Sequence, residues 1–134
     1  MNRTMNKWTR GALALLLCGL VPACTGSNSN GTPPTFTSNI AATSTVSSQA
    51  VVTWSPAVDY SGTGITYNLA WSLTSGGESF TDPTMSMVGI STTTATVTPL
   101  TPSDTYYFMV QAVDGNGVTD ANSPETETAV TIHP

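Results

Sequence analysis

The amino-acid sequence predicts an all-β domain of about seven short antiparallel strands packed in two layers. From Thr35 onwards no stretch shows the apolar periodicity of a helix. Apolar and polar residues instead alternate in short runs rich in Thr, Ser and β-branched side chains, and turn-forming residues separate the runs. Strands with one apolar face must bury it against a second sheet. A hydrophobic content of 39% in 134 residues suffices for one packed core.

The N-terminus has the pattern of a secretory signal. Three basic residues, Arg3, Lys7 and Arg10, precede an apolar run from Gly11 to Val21. The run has the length of a signal-peptide core and is shorter than the roughly 20 residues that a membrane-spanning helix needs. Residues 1–23 are therefore predicted to be a signal peptide and are excluded from the fold.

The end of this segment resembles the lipobox of bacterial lipoproteins. Val21 supplies the aliphatic residue three places before Cys24, and Ala23 supplies the small residue just before it. The resemblance implies that Cys24 becomes the first mature residue, carries lipid, and anchors the protein in the bacterial cell envelope. Thr25, in place of Asp, favours the outer membrane. The alternatives are a Cys18–Cys24 disulfide in a secreted domain and an ordinary signal followed by a chance cysteine.

A tether is predicted between the lipid and the domain. After Cys24, residues 25–34 are all small, polar, Gly or Pro. Such a segment cannot bury enough surface to offset the entropy of ordering it. Ten residues of this composition have a mean end-to-end distance of about 17 Å. The sequence thus divides into a signal peptide at 1–23, a lipidated cysteine and tether at 24–34, and a domain at 35–134.

The charge distribution restricts the possible partners. All three bases lie in the signal, so the mature side chains comprise eight acids and no Lys or Arg, a formal charge of −8 with His133 neutral. Nucleic-acid binding is excluded, because phosphate contacts require cationic side chains. Anionic lipid headgroups should repel the domain.

Five alternating series define the strands that the pattern predicts most clearly. Each series places its apolar or β-branched residues on one face. The series are Ala50, Val52 and Trp54; Ile65, Tyr67, Leu69 and Trp71; Ala95 and Val97; Tyr106, Phe108, Val110 and Ala112; and Thr126, Thr128, Val130 and Ile132. About seven strands in roughly a hundred residues predict an immunoglobulin-like β-sandwich.

Nearly the whole of this region resembles fibronectin type III domains more closely. The resemblance covers about residues 34–132 and rests on Trp54 and Tyr67, and on Leu100, Pro102, Tyr106, Phe108, Val110 and Ala112 in register. It implies a tyrosine corner, in which the Tyr106 hydroxyl forms a hydrogen bond with the backbone near Leu100 or Thr101. The implied structural core is Trp54, Tyr67, Leu100, Tyr106, Phe108 and Val110, none of them a binding residue. Because no Arg follows Arg10, the Arg-Gly-Asp function of integrin-binding members is not implied.

No catalytic constellation is predicted, so the protein is not expected to be an enzyme. His133, the only histidine, lies next to the C-terminus, where it is a poor general base. Glu125 and Glu127 lie two positions apart on one predicted strand, so they could share a face about 6.6 Å apart. This separation is within the range between the two carboxylates of glycosidases, but nothing predicts a cleft around them. Met85 and Met87 are expected to fill the core or to form a partly exposed pair rather than to bind copper.

No metal or other cofactor is predicted either. Residues 114–120 contain oxygen ligands at spacings similar to those of calcium loops, but Val118 interrupts the pattern. A hairpin turn with Asp-Gly and Asn-Gly is the favoured interpretation.

The leading hypothesis is therefore a non-enzymatic lipoprotein whose domain serves protein interaction, adhesion or spacing. An unknown partner would bind the loop at 57–64, the loop at 114–122, or a strand edge. The alternative is an accessory module that contacts polysaccharide through aromatic side chains. Tyr60, Trp71 and Tyr107 are the candidates for that contact.

Overall fold

The computed structural model describes residues 31–82, 84–122 and 126–134 as seven strands in two antiparallel sheets. The predicted all-β sandwich is confirmed. The strands are β1 (Ala41–Thr43), β2 (Ala50–Thr53), β3 (Ile65–Ser72), β4 (Ser86–Ile90), β5 (Thr94–Val97), β6 (Thr105–Asp114) and β7 (Glu127–Thr131). In these described residues, no helix is long and apolar enough to cross a membrane.

The two sheets differ in size. The small sheet has the order β1-β2-β5, and the large sheet has the order β4-β3-β6-β7. Strands β3 and β6 form the longest ladder, from the Ile65–Asp114 pair to the Ser72–Tyr107 pair. Both are central strands, and each carries one of the alternating series of four apolar residues.

The core lies between the inner faces of the two sheets. Its buried members come from the predicted series, together with residues of the connecting segments. They are Phe36, Ala50, Val52, Trp54, Tyr67, Leu69, Ala95, Val97, Leu100, Tyr106, Phe108, Val110, Ala112 and Ile132. All six residues of the implied structural core are in this set. Phe36, which precedes β1, belongs to no alternating run, and the sequence patterns did not identify it.

An aromatic cluster joins the sheets at one end of the core. The Tyr67 ring packs against Trp54, with ring centroids 5.4 Å apart, and against Phe36, with centroids 5.8 Å apart. Tilted and edge contacts of this kind add to the gain from burial. The Tyr67 hydroxyl also accepts a hydrogen bond from the Ala57 backbone N–H at 2.9 Å. One side chain thus links the small sheet, the large sheet and the loop at 57–64.

The opposite end is closed by the segment that leads into β6. Tyr106 Oη accepts a hydrogen bond from Thr101 N at 3.3 Å. The preceding residue, Leu100, is buried, and its N–H donates to Ser48 O at 2.8 Å. The hydroxyl therefore fixes the connection where the chain passes from the small sheet to the large one.

The exposed sheet edges are protected without lysine. Strand β4 carries a bulge opposite β3, where Gly89 adopts a φ of 71° and donates to Asn68 Oδ1. A bulged edge is a poor template for another strand. The other edge strands are short: β1 has three residues and β5 has four. Strands β1 and β7 also lie next to each other, and His133 N donates to Ser44 Oγ beyond their ends.

Replacing Tyr106 with Phe should lower the free energy of unfolding by about 0.5–1.5 kcal/mol, because the Thr101 N–H loses its buried acceptor. Urea denaturation followed by tryptophan fluorescence measures the change. Tyr107→Phe is the matched control, because its half-buried ring faces away from the core. An equal loss in both variants would contradict the assigned role of the Tyr106 hydroxyl.

Candidate functional site at the loop pole

Four segments meet at the end of the sandwich where the described chain begins. They are the entry segment at 31–36, the β2–β3 connection at 54–64, the β4–β5 turn at 91–93 and the first part of the β6–β7 connection at 115–122. We call this end the loop pole. The other end, the distal pole, comprises residues 44–49, 73–82, 98–104 and 132–134. Both loops that the sequence suggested as contact sites lie at the loop pole.

The loop at 57–64 is folded around its own acid. The Asp59 carboxylate accepts hydrogen bonds from Ser61 N at 2.8 Å, Ser61 Oγ at 2.6 Å and Gly64 N at 2.8 Å. These bonds, the one from the Ser61 side chain first, lower the pKa of Asp59. Val58 exchanges backbone hydrogen bonds with Thr35 of the entry segment. The loop therefore has a fixed shape and keeps its negative charge.

Two acids hold the loop at 114–122 in the same way. Asp114 is only 3% exposed, and its Oδ1 accepts from Asn116 N at 2.9 Å and Val118 N at 2.8 Å. Asp120 is 6% exposed and accepts from Ala112 N at 2.6 Å and Asn122 N at 3.0 Å. The sequence predicted a turn here but not the burial of these carboxylates. Across the described ranges, no three His, Cys, Asp or Glu side chains converge on a metal-sized site.

The two loops are joined into one surface. Gly115 N donates to Thr63 Oγ1 at 2.9 Å, and Ser61 Oγ lies 3.2 Å from Asp114 Oδ2. The backbones approach so closely that a Cβ on Gly115 would lie 2.5 Å from Thr63 O. Only glycine fits at that contact, and the contact joins the two loops.

Two apolar side chains stand out from this joined surface. Val58 is 51% exposed and Tyr60 is 64% exposed. Trp71 instead packs against the core, and Tyr107 lies on the outer face of the large sheet opposite Ser72. The three aromatics suggested for polysaccharide contact thus lie on different surfaces and do not form one stacking platform. In the part of the chain described, no cavity is present.

The remaining candidates lie elsewhere. Cys24 and Glu125 fall outside the described residues. Met87 pairs with Leu69 across β3 and β4 and is 37% exposed. Met85, just before β4, accepts a backbone hydrogen bond from Trp71. His133 is exposed, with its Nδ1 2.9 Å from Pro134 O.

Glu127 makes a contact that the sequence did not indicate. Its carboxylate accepts from Ser75 Oγ at 2.9 Å and Gly76 N at 2.7 Å, which ties the segment after β3 to β7. Glu78 lies beside it, and burial, reinforced by the charge of Glu127, raises the pKa of Glu78. The hydrogen bond from Gly76 N is the main cause that lowers the pKa of Glu127. The two glutamates are 49 positions apart in the chain, and no local pattern could have paired them.

Comparisons with known proteins agree with this geometry. The fibronectin type III domain model matches residues 32–129. A solved Fn3-like protein from Clostridium thermocellum is 28% identical, with a TM-score of 0.56 over 77% of this chain and 96% of that one. The fn3 domain of the human collagen alpha-1(XX) chain is 23% identical, with a TM-score of 0.53 over 77% of this chain and 87% of that one. A search of curated protein sequences finds no significant match.

Replacing Gly115 with Ala should separate the two loops and destabilise the domain by about 1–3 kcal/mol, because the new methyl group meets a backbone carbonyl. Urea denaturation measures the loss, and the amide chemical shifts of residues 61–64 report the separation. Asn116→Ala is the control, because it changes an exposed neighbour of Gly115 and keeps the Asn116 backbone N–H, which donates to the Asp114 carboxylate. Unchanged shifts at residues 61–64 in Gly115→Ala would refute the junction.

Replacing Glu78 with Gln should stabilise the domain at neutral pH. The pKa of Glu78 is raised above its ordinary value of 4.5. Its contribution to stability is therefore fully present below pH 4.5 and is lost as the pH rises through the raised pKa. Gln cannot ionise, and its amide can donate to Glu127 at any pH. Urea unfolding at several pH values should show the variant's advantage growing from pH 4.5 towards neutrality.

Glu127→Gln is the opposite control. The pKa of Glu127 is lowered below its ordinary value of 4.5. Its contribution to stability is therefore fully present above pH 4.5 and is lost as the pH falls through the lowered pKa. This variant should therefore be the less stable one at neutral pH and should approach the wild type in acid. If the free energies of unfolding of Glu78→Gln and wild type differed by the same amount at every pH, the assigned contact between the two carboxyl groups would be refuted.

Proposed function

Because the chain belongs to the fibronectin type III domain family, we propose that it is a non-enzymatic interaction module held at the bacterial cell envelope by lipid on Cys24. Members of this family are generally binding or scaffold domains rather than catalysts. The proposed role is contact with a protein partner, adhesion, or spacing of that contact from the membrane.

The observation that supports the non-enzymatic role is that the acidic side chains of the loop pole are engaged in structural hydrogen bonds. Each carboxylate of Asp59, Asp114 and Asp120 already accepts at least two hydrogen bonds from nearby backbone N–H groups. A general base needs a carboxylate that can reach a substrate proton, and a nucleophile needs an adjacent base. These acids stabilise the protein's surface instead, and the surface they support is suited to contact with another surface.

Support for the anchor comes from the sequence around Cys24. The apolar run ends at Val21, and Ala23 and Cys24 complete a lipobox pattern at the point where the tether begins. Several acyl chains on one residue hold a protein stably at a membrane, whereas a single chain gives only reversible binding. The outer membrane is the proposed location, because Thr25 rather than Asp follows the cysteine.

The polysaccharide role remains the alternative. Because Trp71 packs against the core, that role would depend mainly on Tyr60, the most exposed of the three aromatics. A single aromatic ring provides one stacking contact and does not by itself select a sugar.

Replacing Cys24 with Ser should move the protein from the membrane fraction to the soluble fraction and abolish lipid modification. Fractionation of cells and mass spectrometry of the mature N-terminus measure both effects. Cys18→Ser is the matched control, because that cysteine lies within the predicted signal and should be removed with it. Loss of membrane attachment in the Cys18 variant alone, or an unmodified Cys24 in the wild type, would overturn the anchor.

A further inference from the structure

The chain enters the domain at the loop pole. Gly31 lies against the loop at 114–122, where a Cβ on it would be 3.3 Å from Asp114 Oδ2 and 3.7 Å from Val118 Cγ2. A few residues later, Thr35 pairs with Val58 of the loop at 57–64. The first described residues therefore lie against both joined loops, which places Gly31 at the loop pole.

Covalent geometry then limits how far the pole can lie from the anchor. Gly31 lies seven positions after Cys24, so seven Cα–Cα steps join the two residues. Even fully extended, they reach about 25 Å, and a flexible chain of this composition averages about 15 Å. Strand β6 alone has ten residues, about 33 Å, and it runs from the distal pole to the loop pole. The loop pole is thus the end of the domain that a lipid on Cys24 holds close to the headgroups.

The loop pole also carries side chains suited to that surface. Val58 and Tyr60 are both more than half exposed and stand on a loop fixed by Asp59. Tyrosine favours the membrane interface, where its ring meets the acyl boundary and its hydroxyl stays hydrated. Since a short tether gives an effective concentration in the millimolar range, a weak contact is sufficient to keep the pole docked.

Electrostatics specifies the kind of lipid. With eight acids and no Lys or Arg after Arg10, the domain is repelled by an anionic leaflet. At the loop pole itself, Asp114 and Asp120 are buried, and the half-buried Asp59 carboxylate accepts hydrogen bonds from its own turn. An electrically neutral, zwitterionic headgroup layer imposes no such repulsion on the exposed Val58 and Tyr60.

We propose that the loop pole docks through Val58 and Tyr60 onto the zwitterionic lipid surface to which the chain is anchored. This inference rests on the proposed lipid anchor. Docking makes the loop pole the membrane-facing surface and turns the distal pole towards partners. The loops that the sequence favoured for partner contact would then serve to orient the domain.

The experiment uses the lipidated protein in nanodiscs of phosphatidylcholine that contain a few gadolinium-chelating lipids. Paramagnetic relaxation of the amide signals reports the distance of each residue from the headgroups. Amides of residues 58–62 and 115–117 should relax at least on the order of tenfold faster than those of residues 45–47 and 73–75, since the poles are about 33 Å apart. Equal relaxation at the two poles, or faster relaxation at the distal pole, would overturn the proposal.

The double variant Val58→Thr/Tyr60→Ser separates docking from simple tethering. Its relaxation at the loop pole should fall several-fold as the domain moves freely on its tether. Val46→Thr/Leu73→Ser is the matched control, because Val46 (56% exposed) and Leu73 (50% exposed) lie at the distal pole. An unchanged pattern in the loop-pole variant, or the same fall in both variants, would overturn docking. Loop-pole signals that shift with protein density rather than with gadolinium would indicate a second copy and would also overturn it.

Failure of the anchor gives a different result. Mass spectrometry of the same preparation would then show an unmodified Cys24, which overturns the proposed function alone. Cys24 is the only thiol in residues 24–134, so a maleimide-bearing lipid can be attached there and the relaxation experiment repeated. A pole-to-pole contrast with that conjugate would support docking, and its absence would overturn docking independently of natural lipidation.

Discussion

The structure depends most on the packing of Tyr67 between Phe36 and Trp54. Trp54 follows a strand of the small sheet, Tyr67 lies on the large sheet, and Phe36 comes from the segment that enters the domain. Their contact therefore sets the distance between the sheets at one end of the core. The Tyr67 hydroxyl extends the effect to the surface, because it holds Ala57 at the start of the loop at 57–64. Removal of this ring would disturb the core and the loop pole together.

The absence of Lys and Arg beyond Arg10 explains how the acids are used. Carboxylates in most proteins gain support from ion pairs, which this domain has no lysine or arginine to form. Here they accept hydrogen bonds from backbone N–H groups and hydroxyls instead, as Asp59, Asp114 and Asp120 do at the loop pole. Charge-assisted bonds of this kind are among the stronger ones in proteins. The acids thus determine the shape of the loops as well as the charge of the surface.

The sequence predicted the fold class and the facing of the central strands, because β3 and β6 pack one face against the core over their whole length. It did not reveal β4 as a separate alternating series, since the bulge at Gly89 breaks the period of two. The turn at 114–122 was predicted from its Gly and Asn residues. The burial of Asp114 and its junction with the loop at 57–64 were not, because they depend on contacts between residues about 50 positions apart. The pairing of Glu78 with Glu127 is non-local for the same reason.

The described chain enters at one pole of the sandwich and reaches Pro134 at the other. A mechanical load applied between these two points would act along the strands. The ladder between β6 and β7 would then be sheared, so that its hydrogen bonds resist together rather than opening one after another. Rupture under such a load is governed by the rate of unfolding, not by the equilibrium stability alone. The two ends of the described chain are thus placed so that a pull on them meets the shear resistance of this ladder.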